Sequence, residues 1–420
     1  MTALVPALIV LLMGAVGLGR QAWRDEHATW HAATMPWSSL GEHLSQMDIV
    51  LLPYYLFMRL WIFVFGDSVV AMRLPSLLAM ACAAGLTGVL GQRLFDRWTG
   101  LAGGSLFAVV PSVSRYAQEA RPYAFAIAFA VASLLALLWA LERPSWRRWA
   151  LVSATVALTG LSHLVALLVL LAHLPVLFAH ARLGTPARRE WIIAVGVGLV
   201  PAVPLAILGA RQTGQVSWID ASWKSLASLP FSLARSAAVA GILAALAIVG
   251  VFGRRWDWRL TTLAVWALGP PIVLFVLAQD LFYYRYLLFV LPAWTLAAGL
   301  ALQRRAVLVA AVGAALLLGG RDQLALRRSP LPGDQDYRAA ASYVADHMSP
   351  SDGIRFDGYP DDRERLGFAY ELRDRAMPIE CDDCAPRLWL VSNRPNATPP
   401  GFEVVETRSF PGITLTLLSR

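Results

Sequence analysis

The sequence predicts a mainly α-helical fold, a polytopic transmembrane bundle of about eleven spans followed by a small soluble C-terminal α/β domain. Three observations predict it. Of 420 residues, 57% are hydrophobic and only 15% charged, and the mean hydropathy of +0.55 lies far from soluble averages. The apolar residues gather into runs of membrane-crossing length, separated by short arginine-rich loops. After Arg321 those runs give way to a polar tail. The division follows as 1–320 for the membrane domain, with a first loop over 20–73 that carries juxtamembrane helices, and 321–420 for the soluble domain.

Leu4–Leu18 has the look of a signal-peptide core, yet no basic flank precedes it and Gly19–Arg20 follows in place of a small-residue cleavage site. It reads as a retained first helix. At about 20 apolar residues per crossing, spans are expected near 3–20, 74–92, 100–114, 123–141, 149–163, 164–181, 190–210, 230–252, 260–278, 286–302 and 306–320. Ile49–Phe65 is also apolar but contains Pro53, Arg59 and several aromatics, which suits either a further span or a helix lying at the interface.

Charge arbitrates. If 49–65 lies flat, the loops at 92–97, 142–148, 180–190, 253–259 and 303–305 share one side. They hold 13 arginines, from Arg93 through Arg182 to Arg305, against four acids, Asp96, Glu142, Glu190 and Asp257. The positive-inside rule assigns that side to the cytoplasm. The chain is then a multi-pass protein of the plasma (inner) membrane, with 20–73, 115–122, the surroundings of His163, 211–229, 279–285 and the soluble domain facing outward. In that domain Tyr337–His347 has helical spacing, while Leu388–Ser392, Phe402–Glu406 and Ile413–Leu418 have strand patterns.

The net charge of +8 is carried almost wholly by arginine, with Lys224 the only lysine. It reflects membrane orientation and excludes nucleic acid as a partner. The three cysteines, Cys82, Cys381 and Cys384, do not make a disulfide framework. The single C-x-x-C suits no role, an exported disulfide or a redox pair, in that order.

Chemistry is to be sought where ionisable groups meet the outer membrane face, because charge near a bilayer is costly and usually has a partner or a task. Four clusters qualify: Arg24–Asp25–Glu26–His27 with the later Asp48; Ser114–Tyr123; His163 in a very short hairpin; and Tyr283–Tyr284–Arg285–Tyr286. Asp25–Glu26 reads as a general base with a supporting carboxylate, or as an ordinary polar loop start. Arg121 and Arg285 read as a planar donor fork for phosphate, or as ion pairs with Glu119 or Asp280. His163 equally suits a polar residue bonded within the bundle. Tyr54, Tyr55, Trp30 and Trp37 suit an interfacial aromatic belt.

Five segments in order resemble the GT-C superfamily of polytopic glycosyltransferases, in particular its protein O-mannosyltransferase branch and related bacterial membrane mannosyltransferases. They are Asp25–Glu26 after the first span; Asp48–Trp61, DIVLLPYYLFMRLW; Phe65–Gly66 followed by Arg73–Leu74–Pro75–Ser76; QEARPYAF at 118–125; and RYLLFVLP at 285–292. The resemblance covers 1–320. It implies transfer of a sugar, in the first instance mannose, from a polyprenyl-phosphate donor to a cell-envelope glycolipid, glycan or protein on the external face, with inversion.

By the same carry-over Asp25 is the base, with Glu26 and Asp48 orienting the acceptor or a metal. Arg121 and Arg285 hold the lipid phosphate, and Tyr286 and His163 line the donor pocket. Tyr54, Tyr55 and Arg73 support the loop or the acceptor. The superfamily sometimes shows a divalent ion near the acidic loop, though no ligand spacing here demands one. A lipid-linked sugar transporter would require paired broken helices in two related halves, which the sequence does not show. An inactive membrane scaffold would have no use for Asp25–Glu26.

Overall fold

The structure is a computed structural model that describes residues 1–180, 184–357, 363–382, 384–393 and 398–420. Arg182, counted above among the loop arginines, lies outside the described residues. The chain is mainly helical with one small sheet at its end.

The N-terminal helix α1 (Leu4–Ala15) leads into three helices of the first loop, α2 (Arg24–Thr34), α3 (Trp37–Gln46) and α4 (Leu52–Phe65). The bundle continues with α5 (Val69–Leu94), α6 (Arg97–Val109), α7 (Pro111–Ala117), α8 (Tyr123–Glu142), α9 (Trp146–Ser162) and α10 (Leu170–Ala179). Its second half holds α11 (Gly184–Leu199), α12 (Ala202–Gly209), α13 (Trp223–Ala234), α14 (Ala237–Phe252), α15 (Trp258–Leu277), α16 (Leu291–Gly299), α17 (Arg305–Leu318) and the short α18 (Gly320–Ala325).

A helix lies within each expected span, but the count of about eleven crossings is not reached by helix length. Among the described residues, three helices are long and apolar enough to cross a membrane, α5, α8 and α15, or up to five if each of two bent pairs is one span. The pairs are α11 with α12, bent by 55°, and α13 with α14, bent by 96°. Sequence periodicity reports apolar length and is blind to such breaks. Prolines explain part of the irregularity, since Pro175 and Pro230 sit inside α10 and α13, where each removes a backbone donor.

One side of the bundle is packed backbone to backbone. A Cβ at Gly88 would lie 1.9 Å from the carbonyl oxygen of Thr2, and one at Gly299 would lie 2.8 Å from the backbone nitrogen of Gly103. Glycine alone fits there, which is how helices without a hydrophobic drive between them gain contact. The outward faces carry exposed apolar side chains such as Leu12, Phe63, Ile193, Val249, Val276 and Leu317, a surface made for lipid rather than water.

The last hundred residues fold around a five-stranded sheet in the order β2-β1-β3-β5-β4, formed by β1 (Gly353–Phe356), β2 (Ile379–Glu380), β3 (Arg387–Ser392), β4 (Glu403–Phe410) and β5 (Ile413–Ser419). β1 pairs in parallel with β2 and β3, and β5 pairs antiparallel with β3 and β4. Helices α19 (Tyr337–His347) and α20 (Arg363–Glu371) pack with it. The strand expected at Phe402–Glu406 runs instead over β4, and β1, β2 and α20 are additions to the expected elements. Cys381 and Cys384 form a disulfide, correcting the reading that placed no role first; their Cα atoms stand 5.8 Å apart, within bonding reach.

Candidate active site at the first loop

The site is built on α2. Its N-terminal end is fixed by Glu26, the third helical residue, whose carboxylate accepts the backbone N–H of Trp23 at 3.2 Å, one half of a capping box. The same carboxylate accepts the Ala120 N–H at 2.9 Å and the Arg73 Nε–H at 2.7 Å, with a second bond from Arg73 Nη2. Arg73 spends its remaining donors on the carbonyls of Leu18, Arg20 and Gln21. Both side chains are wholly buried. Burial alone would raise Glu26, but the Arg73 guanidinium holds it down at about 2. Glu26 thus has its acceptors filled and no path to a substrate, and Arg73 staples the first loop to α5.

Asp25, one residue earlier, has a different setting. Its Oδ2 accepts Arg285 Nη1–H at 2.9 Å and its Oδ1 lies 3.4 Å from Arg24 Nε, with a side chain still 22% exposed. Burial pushes Asp25 up, yet the charges of Arg121 and Arg285 outweigh it and keep the carboxyl below its usual range. Neither of the partners expected for the two arginines is the one found. Arg285 pairs with Asp25 rather than Asp280 or Glu119, and Glu119 pairs with Arg115 at 2.7 Å. Arg121 reaches the Thr29 hydroxyl at 3.5 Å, and its buried Nε has no hydrogen-bond partner among the described residues.

Aromatic rings frame the pair. Arg285 lies over Trp23 at 5.0 Å and Tyr283 at 5.2 Å, and Arg115 lies over the same Trp23 at 4.9 Å, so one indole braces two guanidiniums. Tyr286 and His163 meet at 4.9 Å, and Tyr123 stands 5.8 Å from His163. His163 Nδ1 is buried without a hydrogen-bond partner among the described residues, so the bundle does not tie it down through that atom.

Asp48 joins this group from the start of α4, within electrostatic reach of Arg121 and Tyr286. It takes a left-handed backbone at φ 60°, and its Oδ2 accepts the Tyr55 hydroxyl at 2.8 Å. Tyr54 is buried against Phe57 and Phe125. Trp30 donates to Asp67 at 2.9 Å and packs on Tyr370 of the C-terminal domain, and Trp37 lies under the Arg59 guanidinium at 4.0 Å.

The surroundings of Asp25 do not fit a divalent metal. The groups around it are the cations Arg24, Arg121 and Arg285, and among the described residues no three His, Cys, Asp or Glu side chains cluster as a metal would need. Trp23 was not among the sequence candidates, and Arg115, Glu119 and Tyr283 stood in the candidate clusters without a role of their own. The signal was present for Trp23, which directly precedes the charged run, and for Tyr283 in the Tyr-Tyr-Arg-Tyr segment. The Arg115–Glu119 pair is visible as an i, i+4 spacing.

A model of the family described as dolichyl-phosphate-mannose-protein mannosyltransferase matches residues 52–207. No curated protein matches the chain in sequence. Among solved structures, ArnT from Cupriavidus metallidurans in the apo state superposes with a TM-score of 0.63 at 14% identity, covering 98% of this chain and 97% of that one. ArnT bound to undecaprenyl phosphate gives 0.62 at 14% identity over the same shares. The mycobacterial arabinofuranosyltransferase AftD gives 0.59 at 15% identity, covering 99% of this chain and 41% of that one. The Archaeoglobus fulgidus oligosaccharyltransferase gives 0.54 at 12%, covering 92% and 63%.

Proposed function

We propose that this chain is a membrane glycosyltransferase of the GT-C superfamily and that it transfers a sugar from a polyprenyl-phosphate donor to a hydroxyl of an extracytoplasmic acceptor, with inversion. Mannose is the first candidate for the sugar, and a cell-envelope glycolipid, glycan or protein for the acceptor. The observation that carries the reading is the Asp25–Arg285 pair with Arg121 beside it, one carboxylate held among cations at the mouth of an apolar bundle. The match to a family named for a dolichyl-phosphate donor and the fold shared with a protein solved with undecaprenyl phosphate support it. About eleven crossings, with the site and residues 321–420 outside, remain part of the proposal.

The chemistry follows from the groups. The acceptor oxygen bonds to the anomeric carbon as the bond from that carbon to the phosphate oxygen breaks. The acceptor proton passes to Asp25, and the polyprenyl phosphate leaves with its negative charge held by Arg121 and Arg285. Arg285 has two claims on it. Without donor it neutralises Asp25 and makes that carboxylate a weak base; a donor phosphate draws the guanidinium away and strengthens Asp25 when an acceptor is needed. Glu26 and Arg73 act by positioning, because their bonds fix the turn from which Asp25 projects.

The test uses purified protein in nanodiscs, a polyprenyl-phosphate mannose donor and an envelope-glycolipid acceptor, with product and bound donor measured separately. Asp25→Asn keeps the shape and removes the base, so turnover is expected to fall by about 10²–10⁴-fold while donor binding survives. Transfer by Asp25→Asn at the wild-type rate refutes the base. Donor binding without transfer in either protein, to any envelope acceptor, favours transport or a scaffold.

A further inference from the structure

Beside the Asp25–Arg285 pair lies a cavity that no role above uses. Its volume is about 240 Å³, and its walls include Asp220, Ser228, Ser232, Tyr283 and Tyr284, with Trp218 at the rim and Leu229 in the floor. We propose that this cavity is a subsite for a single sugar ring. The inference rests on the transferase reading above and adds where one carbohydrate unit sits.

The lining carries the inference. Serine is a poor interior residue for a helix, yet α13 bears Ser225, Ser228 and Ser232 along the cavity. Local structure uses Ser225, which donates to the Ser222 carbonyl at 2.7 Å and accepts the Ser222 N–H at 2.8 Å. Ser228 donates to the Ser225 carbonyl at 3.2 Å and keeps its lone pairs. The half-buried Ser232 hydroxyl and the carboxylate of Asp220, exposed at the cavity's opening, have no side-chain hydrogen-bond partner among the described residues. A carboxylate acceptor facing hydroxyls that both give and accept is the complement of a polyhydroxylated ring.

The apolar part fits the same ligand. Leu229 and Phe282 are buried beneath the cavity, and the Trp218 ring meets Tyr283 edge-on at 4.9 Å. Aromatic faces and a dry floor suit the C–H side of a sugar while the opposite wall takes its hydroxyls. At about 240 Å³ the cavity falls below the usual range for larger ligands, which selects one ring over an oligosaccharide.

Location ties the cavity to the reaction. Tyr283 lines it and its hydroxyl accepts Arg285 Nε–H at 3.3 Å, while Arg285 Nη1–H donates to Asp25 at 2.9 Å. One tyrosine and one arginine separate the cavity from the base. The cavity runs along α13 and is closed by residues 218–220 and 282–284.

A sugar ring can arrive there on the lipid donor or at the end of the acceptor, and the experiment separates the two. Saturation-transfer NMR on the full chain in nanodiscs, with a panel of methyl hexosides and pentosides as probes, reads binding without any need for turnover. Asp220→Asn and Ser232→Ala are each expected to weaken glycoside contact by about tenfold, and Ser232→Leu to abolish it by filling the space. In the transfer assay the same variants are expected to raise one KM, the donor's if the ring is the donor sugar and the acceptor's if it belongs to the acceptor. Unchanged glycoside signals in all three variants, with thermal unfolding unaltered, overturn the subsite. If glycoside binding is lost in the variants while wild type transfers nothing, the subsite stands and the transferase reading falls.

Discussion

Asp25 and Glu26 are adjacent in sequence and opposite in fate, because consecutive residues on a helix do not face the same way. Glu26 points into the protein and meets Arg73; Asp25 keeps partial exposure and meets Arg285. Glu26→Gln removes one partner of a wholly buried pair, so a loss of about 3–5 kcal/mol in stability is expected, seen as a lower melting temperature. Asp25→Asn, on a partly exposed carboxylate, is expected to leave melting nearly unchanged while abolishing turnover. Equal melting of the two variants would remove the distinction. For the phosphate, Arg121→Ala and Arg285→Ala are expected to weaken polyprenyl-phosphate binding by tenfold or more, with Lys restoring only part because it lacks the planar fork. Donor affinity at the wild-type level in an alanine variant would return that arginine to a purely local role.

At the scale of elements, α2 is held from two sides, by Arg73 from the bundle and by the C-terminal domain from the other. Its His27 lies wholly buried between Tyr337, at 5.0 Å, and Tyr370, at 5.4 Å, with neither ring nitrogen hydrogen-bonded among the described residues. Burial lowers its pKa from the ordinary 6.5 to about 3, against the nearby Glu26 charge and with that of Arg73. A depressed folded value means the opened state binds the proton more readily, so this contribution is complete above about pH 6.5 and is lost as pH falls toward 3. Glu26, lowered from 4.5 to about 2, follows the same sign at lower pH. The opening free energy of α2, α19 and α20, from hydrogen exchange corrected for the pH dependence of intrinsic exchange, is expected to fall as pH drops below 6.5, and His27→Phe to flatten that response by keeping a ring that cannot be protonated. An identical pH response in His27→Phe would exclude His27 as its source.

The same elements show what a sequence can disclose. Apolar runs locate the helices, since burial in lipid demands them, and charged residues at their mouths mark Asp25 and Arg285. Their contact is not legible, because 260 residues separate them and only tertiary packing closes that gap. The partner of Glu26 is hidden for the same reason, since Arg73 lies 47 residues on. The bends at α12 and α14 have no periodic signature, and neither does the cavity beside α13.

At the scale of the whole molecule, the C-terminal domain joins the first loop rather than hanging from α18. Gln21 bonds to the backbone of Gln335 and Arg338, Tyr370 donates to the Asp67 carbonyl, and Arg373 pairs with Asp67 at 3.2 Å. The domain and the candidate base therefore lie at the same end of the bundle. A disulfide in that domain suits an oxidising compartment. A reporter active only outside the cytoplasm, fused after Arg420, is expected to be active; a well-expressed but silent fusion would invert the topology and move the chemistry to the cytoplasmic face.

The glycine seam has a further bearing on how substrates arrive. Where Gly88 meets Thr2 and Gly299 meets Gly103, no side chain stands between the backbones to act as a roller, so α1, α5, α6 and α16 move as one block. Through Arg73 on α5, that block also carries the turn bearing Asp25. A Cβ at Gly250 of α14 would lie 2.7 Å from the Ala297 carbonyl oxygen of α16, so α14 belongs to the same block and only the α13 arm of the 96° elbow is left to swing while the carboxylate stays put.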